Sequence, residues 1–597
     1  MRLFLASLFL TIFTLTQAQQ ADWLSKTAPE LRPVLLAGQK TDCIVWMRDQ
    51  ADLSAARGLR GKARKGQYVF ETLRAHAART QSRVLDALNG YGANSFYLVN
   101  AIAVSQADQA LIERLCVLPE VARIAPDPWA YFEGAYTTAP AQTSPRSGAE
   151  WGIQRINAPL VWDMGYRGQG VSIGGADTGY EWQHPAIRAS YRGYYAPSDT
   201  FDHNYNWHDA IYEQSPLNNN PDNPCGFEAK APCDDNAHGT HTAGTFTGID
   251  TAGVHIGVAP EARWIGCRNM ERGWGRPSSY IECFEWFLAP TDLQDQNPRP
   301  DLAPDVINNS WYCAESEGCD NEDVIAIMRT AVSNLKSAGV FVVVSNGNFG
   351  ASCATTLAPP AYFPESFSVG ATRSDDTLAA FSSVGPAIYL ADTLLKPDVS
   401  APGQGVRSSV GRNNDFGTYG YSFFSGTSMA GPHVAGTVAL VLSAAPSLSG
   451  EVETLEQIIR ESAKPMYAET ECLGYSGLDR PNNRYGWGRI DVAAAVALAQ
   501  ILSSSDASSP SPFSLFPNPA RAGEELYLVR RGEGVGAAGR WELFDAWGRP
   551  VLSRLVAPGQ ESRVVLPAQL ASGVYFWRWH SENGVASGTL SVLGDLR

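Results

Sequence analysis

Past its first 18 residues the chain has no apolar run of the roughly 20 residues that a membrane-spanning helix needs. No two of its cysteines stand in a CxxC pair, the spacing that would suggest a zinc site. No histidine lies in an HExxH pattern, so the familiar zinc-hydrolase arrangement is missing. One Asp-Thr-Gly occurs at 177–179 with no second DTG or DSG, and a mechanism in which two such carboxylates share a proton lacks its partner. Positive charge is also short: 46 Lys and Arg stand against 61 Asp and Glu, a net charge of −15. That balance argues against a nucleic-acid or anionic-membrane partner, either of which would favour a basic surface.

What is present fits an exported, multi-domain globular protein. A length of 597 residues suggests about three or four domains, and 44% hydrophobic residues supply a sizeable core. Residues 1–18 have a basic start, the apolar run LFLASLFLTIFTL (3–15) and a small residue, Ala18, and read as a secretory signal peptide. Export favours disulfides for the ten cysteines. Cys225 with Cys233 and Cys313 with Cys319 are close enough in sequence for local bridges, and Cys43 and Cys116 are a third candidate pair; a few buried, unbridged thiols are the plainer alternative.

Four segments follow the signal. Residues 19–145 alternate strand-like and helical stretches: CIVWMRD (43–49), a helix through 69–92, SFYLVNAIAVSQ (95–106), a helix over 107–119, and VARIAPD (121–127). This is the order of a small α+β domain. Residues 146–501 alternate continuous apolar runs, such as GVSIGGAD (170–177), PDVINNSW (304–311) and GVFVVVSN (339–346), with helical stretches. That pattern predicts an α/β domain with a parallel sheet covered on both faces. Residues 502–512 are a Ser/Pro linker, and the short alternating strands of 513–597 predict a β-sandwich.

Three segments of the α/β region carry candidate chemistry. VSIGGADTG (171–179) offers Asp177, HGTHTAG (238–244) offers His238, and FSGTSMAGPHVAG (424–436) offers Ser428. A serine hydroxyl becomes a useful nucleophile when an imidazole takes its proton and a carboxylate fixes that imidazole. AGPHVAGTVALVLSAA (430–445) reads as a buried helix with Pro432 in its first turn, which puts Ser428 at a helix N-terminus, where backbone N–H groups favour developing negative charge; helix capping is the plainer role for a serine there. His241 reads as a packed structural histidine. Asn348, just past an apolar run, is either a turn former or a side-chain donor to an oxyanion.

In order and context these motifs resemble the subtilisin-like serine peptidases, and more closely their bacillopeptidase F-like branch. The resemblance extends over 146–501 through YRGYYAPSDTFDHNYNWHDAI (191–211), WIGCRNMERG (264–273), KPDVSAPG (396–403) and YGWGRIDVAAAV (485–496). It implies a secreted endopeptidase that acts on polypeptide substrates and needs no cofactor, with Asp177, His238 and Ser428 as the triad and Asn348 in the oxyanion hole. It also implies a substrate cleft lined near Ser310 and Trp311. Structural calcium is common in the family and would suit the Asn/Asp-rich stretch 215–237, but no EF-hand spacing is present and no metal ligands are assigned. Two departures bear on specificity: Tyr312 stands where such enzymes often have glycine, and Asn346 precedes Gly347-Asn348 where alanine is commoner.

Residues 19–145 resemble the family's inhibitory prodomain, which implies that the chain carries its own intramolecular inhibitor; a permanent accessory domain is the alternative. The tail, through FPNPA (516–520) and LASGVYFWRW (570–579), resembles the type IX secretion sorting domain. That resemblance implies secretion machinery as a partner. A binding module displaying Trp577 and Trp579 is the alternative. Two other functions remain open on the same fold: a catalytically silent peptide-binding surface protein, and a transpeptidase.

Overall fold

Val, Ile and Phe dominate the apolar runs of the α/β region, and they form a seven-stranded parallel sheet. Its order is Trp207–Asp209, Arg263–Arg268, Ser172–Asp177, Val306–Asn309, Phe341–Ser345, Phe367–Thr372, Val399–Pro402. Successive side chains leave opposite faces. Val306 and Val343 therefore join one core with Val434 and Val438 of the helix Thr427–Ala444. Ile307, Val342 and Val344 join another with Phe284 of the helix Pro277–Leu288 and Met328 of the helix Glu322–Ser337. Apolar helices on both faces are why these strands read as continuous rather than alternating.

The computed structural model describes residues 23–132, 136–137, 148–313, 319–389, 392–411, 419–503 and most of 513–593. Residues 1–18, which the sequence predicts to be a signal peptide, and nearly all of the Ser/Pro linker lie outside the described residues. Among the described residues no helix is long and apolar enough to cross a membrane.

The N-terminal unit is an antiparallel sheet in the order Gly92–Phe96, Ala101–Ala107, Thr41–Met47, Val121–Pro126, with helices Lys62–Ala87 and Gln109–Cys116. Asp108 caps the second helix by accepting the Leu111 N–H at 2.9 Å. The run 95–106 is not one strand but belongs to two, joined by a turn at Asn100, which has φ 44°. The Asn100 side chain holds that turn by donating to Asp49 O at 2.6 Å and accepting from Gln81 Nε2 at 2.9 Å.

This unit shares its core with the α/β region: Ile44, Phe70 and Leu98 pack in one cluster with Ile265, Phe284 and Ala331. Polar contacts tie the same junction. Asp127 accepts from Ser278 N at 2.9 Å and Ser278 Oγ at 2.6 Å, capping the helix Pro277–Leu288 from across the boundary. Farther along that helix, Glu282 accepts from Asn94 Nδ2 at 2.8 Å, and Glu285 accepts the Leu98 N–H at 2.7 Å.

The expected bridges Cys225–Cys233 and Cys313–Cys319 form, and Cys267–Cys283 and Cys353–Cys472 join them. Cys43 and Cys116 are buried thiols rather than the bridge the sequence suggested. The tail holds a five-stranded and a three-stranded sheet. Trp577 and Trp579, the residues a binding module would display, are buried between them with Trp541 and Leu526.

Candidate active site

Asp177 ends its strand where the sheet order reverses: the chain next visits the edge strand on one side before crossing to Val306–Asn309 on the other. Such a reversal leaves a crevice at the carboxyl ends of the strands. Asp177 is fully buried, and its Oδ1 accepts from His238 Nδ1 at 2.7 Å and from Thr178 N at 2.8 Å. With Nδ1 thus committed as a donor, Nε2 is the basic nitrogen of His238, and it is buried without a hydrogen-bond partner among the described residues.

His238 opens the helix His238–Thr247, and Ala237 before it adopts a left-handed φ of 75°. Asp234 holds this entry. Its Oδ1 accepts from Ala237 N at 2.9 Å, Asn236 N at 3.0 Å and Thr178 Oγ1 at 3.0 Å; its Oδ2 accepts from Thr240 N at 3.0 Å and Thr240 Oγ1 at 2.5 Å. Burial lifts the Asp234 carboxyl above the ordinary range, the donors from Thr240 and Asn236 pull it back, and the charge of Asp177 lifts it further. One buried carboxylate therefore pins the Asp177 turn to the His238 helix. Sequence reading passed over it, although an acidic residue just before a helix start was the signal. The two backbones also meet directly: a Cβ on Gly239 would lie 2.0 Å from Gly179 O.

Ser428 lies in the first turn of the helix Thr427–Ala444, which begins earlier than the sequence implied. Pro432 therefore falls inside the helix rather than in its first turn, and it has no N–H to give to the carbonyl four residues back, that of Ser428. Ser310 fills the vacancy, its Oγ donating to Ser428 O at 2.8 Å, and Ser428 Oγ donates in return to Ser310 O at 3.0 Å. Asn308 Nδ2 donates to Ser310 Oγ at 2.8 Å.

Asn348 follows the strand Phe341–Ser345. Its Oδ1 accepts from Thr427 N and from Thr427 Oγ1, each at 2.9 Å. A backbone N–H only donates, so the amide orientation is fixed, and Nδ2 is a buried donor with no partner among the described residues. Asn346 is committed to the neighbouring loop through Thr356 Oγ1 at 3.0 Å and Ser383 O at 2.8 Å. The Trp311 side chain points away from the crevice into the core, stacked on Tyr280 with ring centroids 4.1 Å apart. His241 stacks on Phe424 at 4.3 Å, with Nε2 3.1 Å from Val406 O and 3.2 Å from Ser422 O. Burial holds it at about 3, so it is neutral and structural.

The end of the N-terminal unit lies in the crevice. Ala130–Tyr131 pairs antiparallel with Trp274–Gly275, and Phe132 N donates to Gly273 O at 2.8 Å. The Phe132 ring meets those of His238 at 5.0 Å and Tyr312 at 5.6 Å. Farther on, Tyr136–Thr137 pairs with Phe424–Ser425, directly before the Ser428 helix.

The strand next to Asp177 ends in Arg268, whose side chain is wholly buried. It donates to Asp209 Oδ2 at 3.2 Å, to Gly226 O at 3.0 Å and to Asp235 Oδ2. Replacing Arg268 by Met strands two buried carboxylates. We expect a loss of about 3–5 kcal/mol, read as a lowered urea midpoint of the chain; an unchanged midpoint would show the charges to be solvated.

The subtilase family model matches residues 168–488. Bacillopeptidase F of Bacillus subtilis (strain 168) is 34% identical over 504 residues, 79% of this chain and 32% of its own length, so the chain spans about a third of that relative. Subtilisin NAT of Bacillus subtilis subsp. natto is 29% identical over 379 residues, 63% of this chain and 79% of its own. Alkaline elastase YaB of Bacillus sp. (strain YaB) is 28% identical over 316 residues, 53% of this chain and 65% of its own. The sheet, the crevice at its strand ends and this match over more than half of the chain together place the chain in the subtilase family.

Proposed function

We propose that the chain is an exported serine endopeptidase made as a self-inhibited precursor. Ser428 Oγ attacks a peptide carbonyl. His238 Nε2 takes the hydroxyl proton and returns it to the leaving amine, and Asp177 holds His238 in the required tautomer. The Asn348 amide and the Ser428 backbone N–H receive the oxyanion, and water then hydrolyses the acyl-enzyme. The observation that carries this reading is the 2.7 Å bond from His238 Nδ1 to Asp177, with Nε2 left uncommitted among the described residues.

One observation favours the silent peptide-binding reading: Ser428 Oγ donates to Ser310 O rather than to His238. Nucleophile–base bonds often tighten only once substrate is bound. Titration with a fluorophosphonate separates the two: stoichiometric labelling of Ser428 supports the peptidase, and a folded, cleft-free chain that never labels rules it out.

Residues 19–145 act as the prodomain in this proposal, supported by the chain lying on Gly273–Gly275, with Phe132 against His238, and on Phe424–Ser425 just before the Ser428 helix. The tail serves export in the same proposal, and the buried Trp577 and Trp579 speak against a displayed aromatic binding face. The disulfides suit an oxidising compartment.

Docking of the prodomain carries a pH dependence. Burial pushes Glu285 up to about 8, its bond from Leu98 N opposes the rise, and the charge of Glu282 adds to it. Released into water the group would return to about 4.3. A raised pKa in the docked state favours docking fully below about 4.3 and loses that contribution as pH rises through about 8. The cleaved complex should therefore dissociate about tenfold more readily or better at pH 8 than at pH 6. Gel filtration at the two values checks this, and Glu285→Gln should flatten the difference.

A further inference from the structure

The chain in the crevice shows how a peptide's side chains would be received. Ala130 and Tyr131 are extended against Trp274–Gly275, and neighbours on an extended chain face opposite ways. Tyr131 lies against Trp274 with centroids 5.1 Å apart. Phe132 turns inward, is 3% exposed, and packs edge-on against both His238 and Tyr312. Tyr312 is backed in turn by Phe349 at 4.9 Å, the residue after Asn348. Its backbone is held by neighbours too: Cys313 N donates to Pro359 O at 3.0 Å.

We propose that Tyr312 is a specificity-determining residue, selecting peptides with an aromatic side chain at the position that packs over His238 on the acyl side of the cut bond. A glycine at 312 would leave the ring over His238 without its second aromatic wall, while Tyr312 supplies an edge-to-face partner already braced by Phe349. Ring pairs of this geometry add to the burial of the ring itself, and the two effects together correspond to about a five- to tenfold preference. The proposal rests on the peptidase reading and adds to it a substrate class: segments with large aromatic residues before the cleavage point, as in the chain's own Tyr131-Phe132.

The test is digestion of a mixed peptide library by the processed full-length protein, with cleavage points mapped by mass spectrometry. Fluorophosphonate stoichiometry is read on every variant, so that selectivity is counted per intact serine site. Wild type should enrich Phe, Tyr and Trp about five- to tenfold at one position on the acyl side. Tyr312→Gly should reduce that enrichment to about twofold or less, and Tyr312→Phe should keep it. If Tyr312→Gly does not label, Tyr312→Leu replaces it, since it fills the site without an aromatic ring. Labelling and cleavage by wild type without aromatic enrichment, or enrichment that survives loss of the ring, overturns this proposal alone. A wild type that neither labels nor cleaves overturns the peptidase reading and this proposal with it.

Discussion

Replacing Ser428 by alanine should lower kcat by about a million-fold, the loss measured when the nucleophile of subtilisin itself is removed. Binding and the oxyanion donors remain, so a residual acceleration of about 10³–10⁴ over water should persist. The same change deletes the donor to Ser310 O, a buried acceptor, and should cost about 0.5–1.5 kcal/mol. The precursor should also stay uncut at the junction of its first two units. Hydrolysis of an unstructured protein, chain mass and a denaturation midpoint check the three parts. A Ser428→Ala chain that still digests substrate at the wild-type rate would end the triad assignment.

Asn348→Leu should lower kcat by about 10²–10³ with KM little changed, because a donor aimed at the oxyanion works only once charge develops. Asn348 has a second task, since its Oδ1 receives the Thr427 N–H at the helix start. Leucine loses both, so stability should fall with rate. Asn348→Asp keeps the acceptor and puts a negative charge where the oxyanion forms. It should hold the helix end near wild-type stability while kcat falls at least as far. A kcat left intact by both variants would remove Asn348 from the oxyanion role.

The placement of Asp177 beside His238, and of Ser428 and Asn348 at one helix start, was legible because each belongs to a short motif whose neighbours serve the same turn or helix end; their catalytic roles stay proposals. Cys225–Cys233 and Cys313–Cys319 were legible for a similar reason: their loops are short. Cys267–Cys283 and Cys353–Cys472 were not, since their partners meet only through the packing of the sheet against its helices and loops. The exchange between Ser310 and Ser428 depends on where the helix begins relative to Pro432, and a boundary shift of a few residues decides it. Trp311 was expected along the cleft and lies beneath it, because a residue just past a strand end can leave by either face. The run 95–106 looked like one strand because a single left-handed Asn leaves little trace in hydrophobic periodicity.

The chain that lies on Gly273–Gly275 and on Phe424–Ser425 belongs to the same molecule as Ser428. On the proposed reading, the first bond this protein meets is its own, at an effective concentration set by tethering rather than by how much protein is present. Maturation is then first order in protein: dilution leaves its half-time unchanged, and a lone molecule on a cell surface matures as fast as one in a crowd.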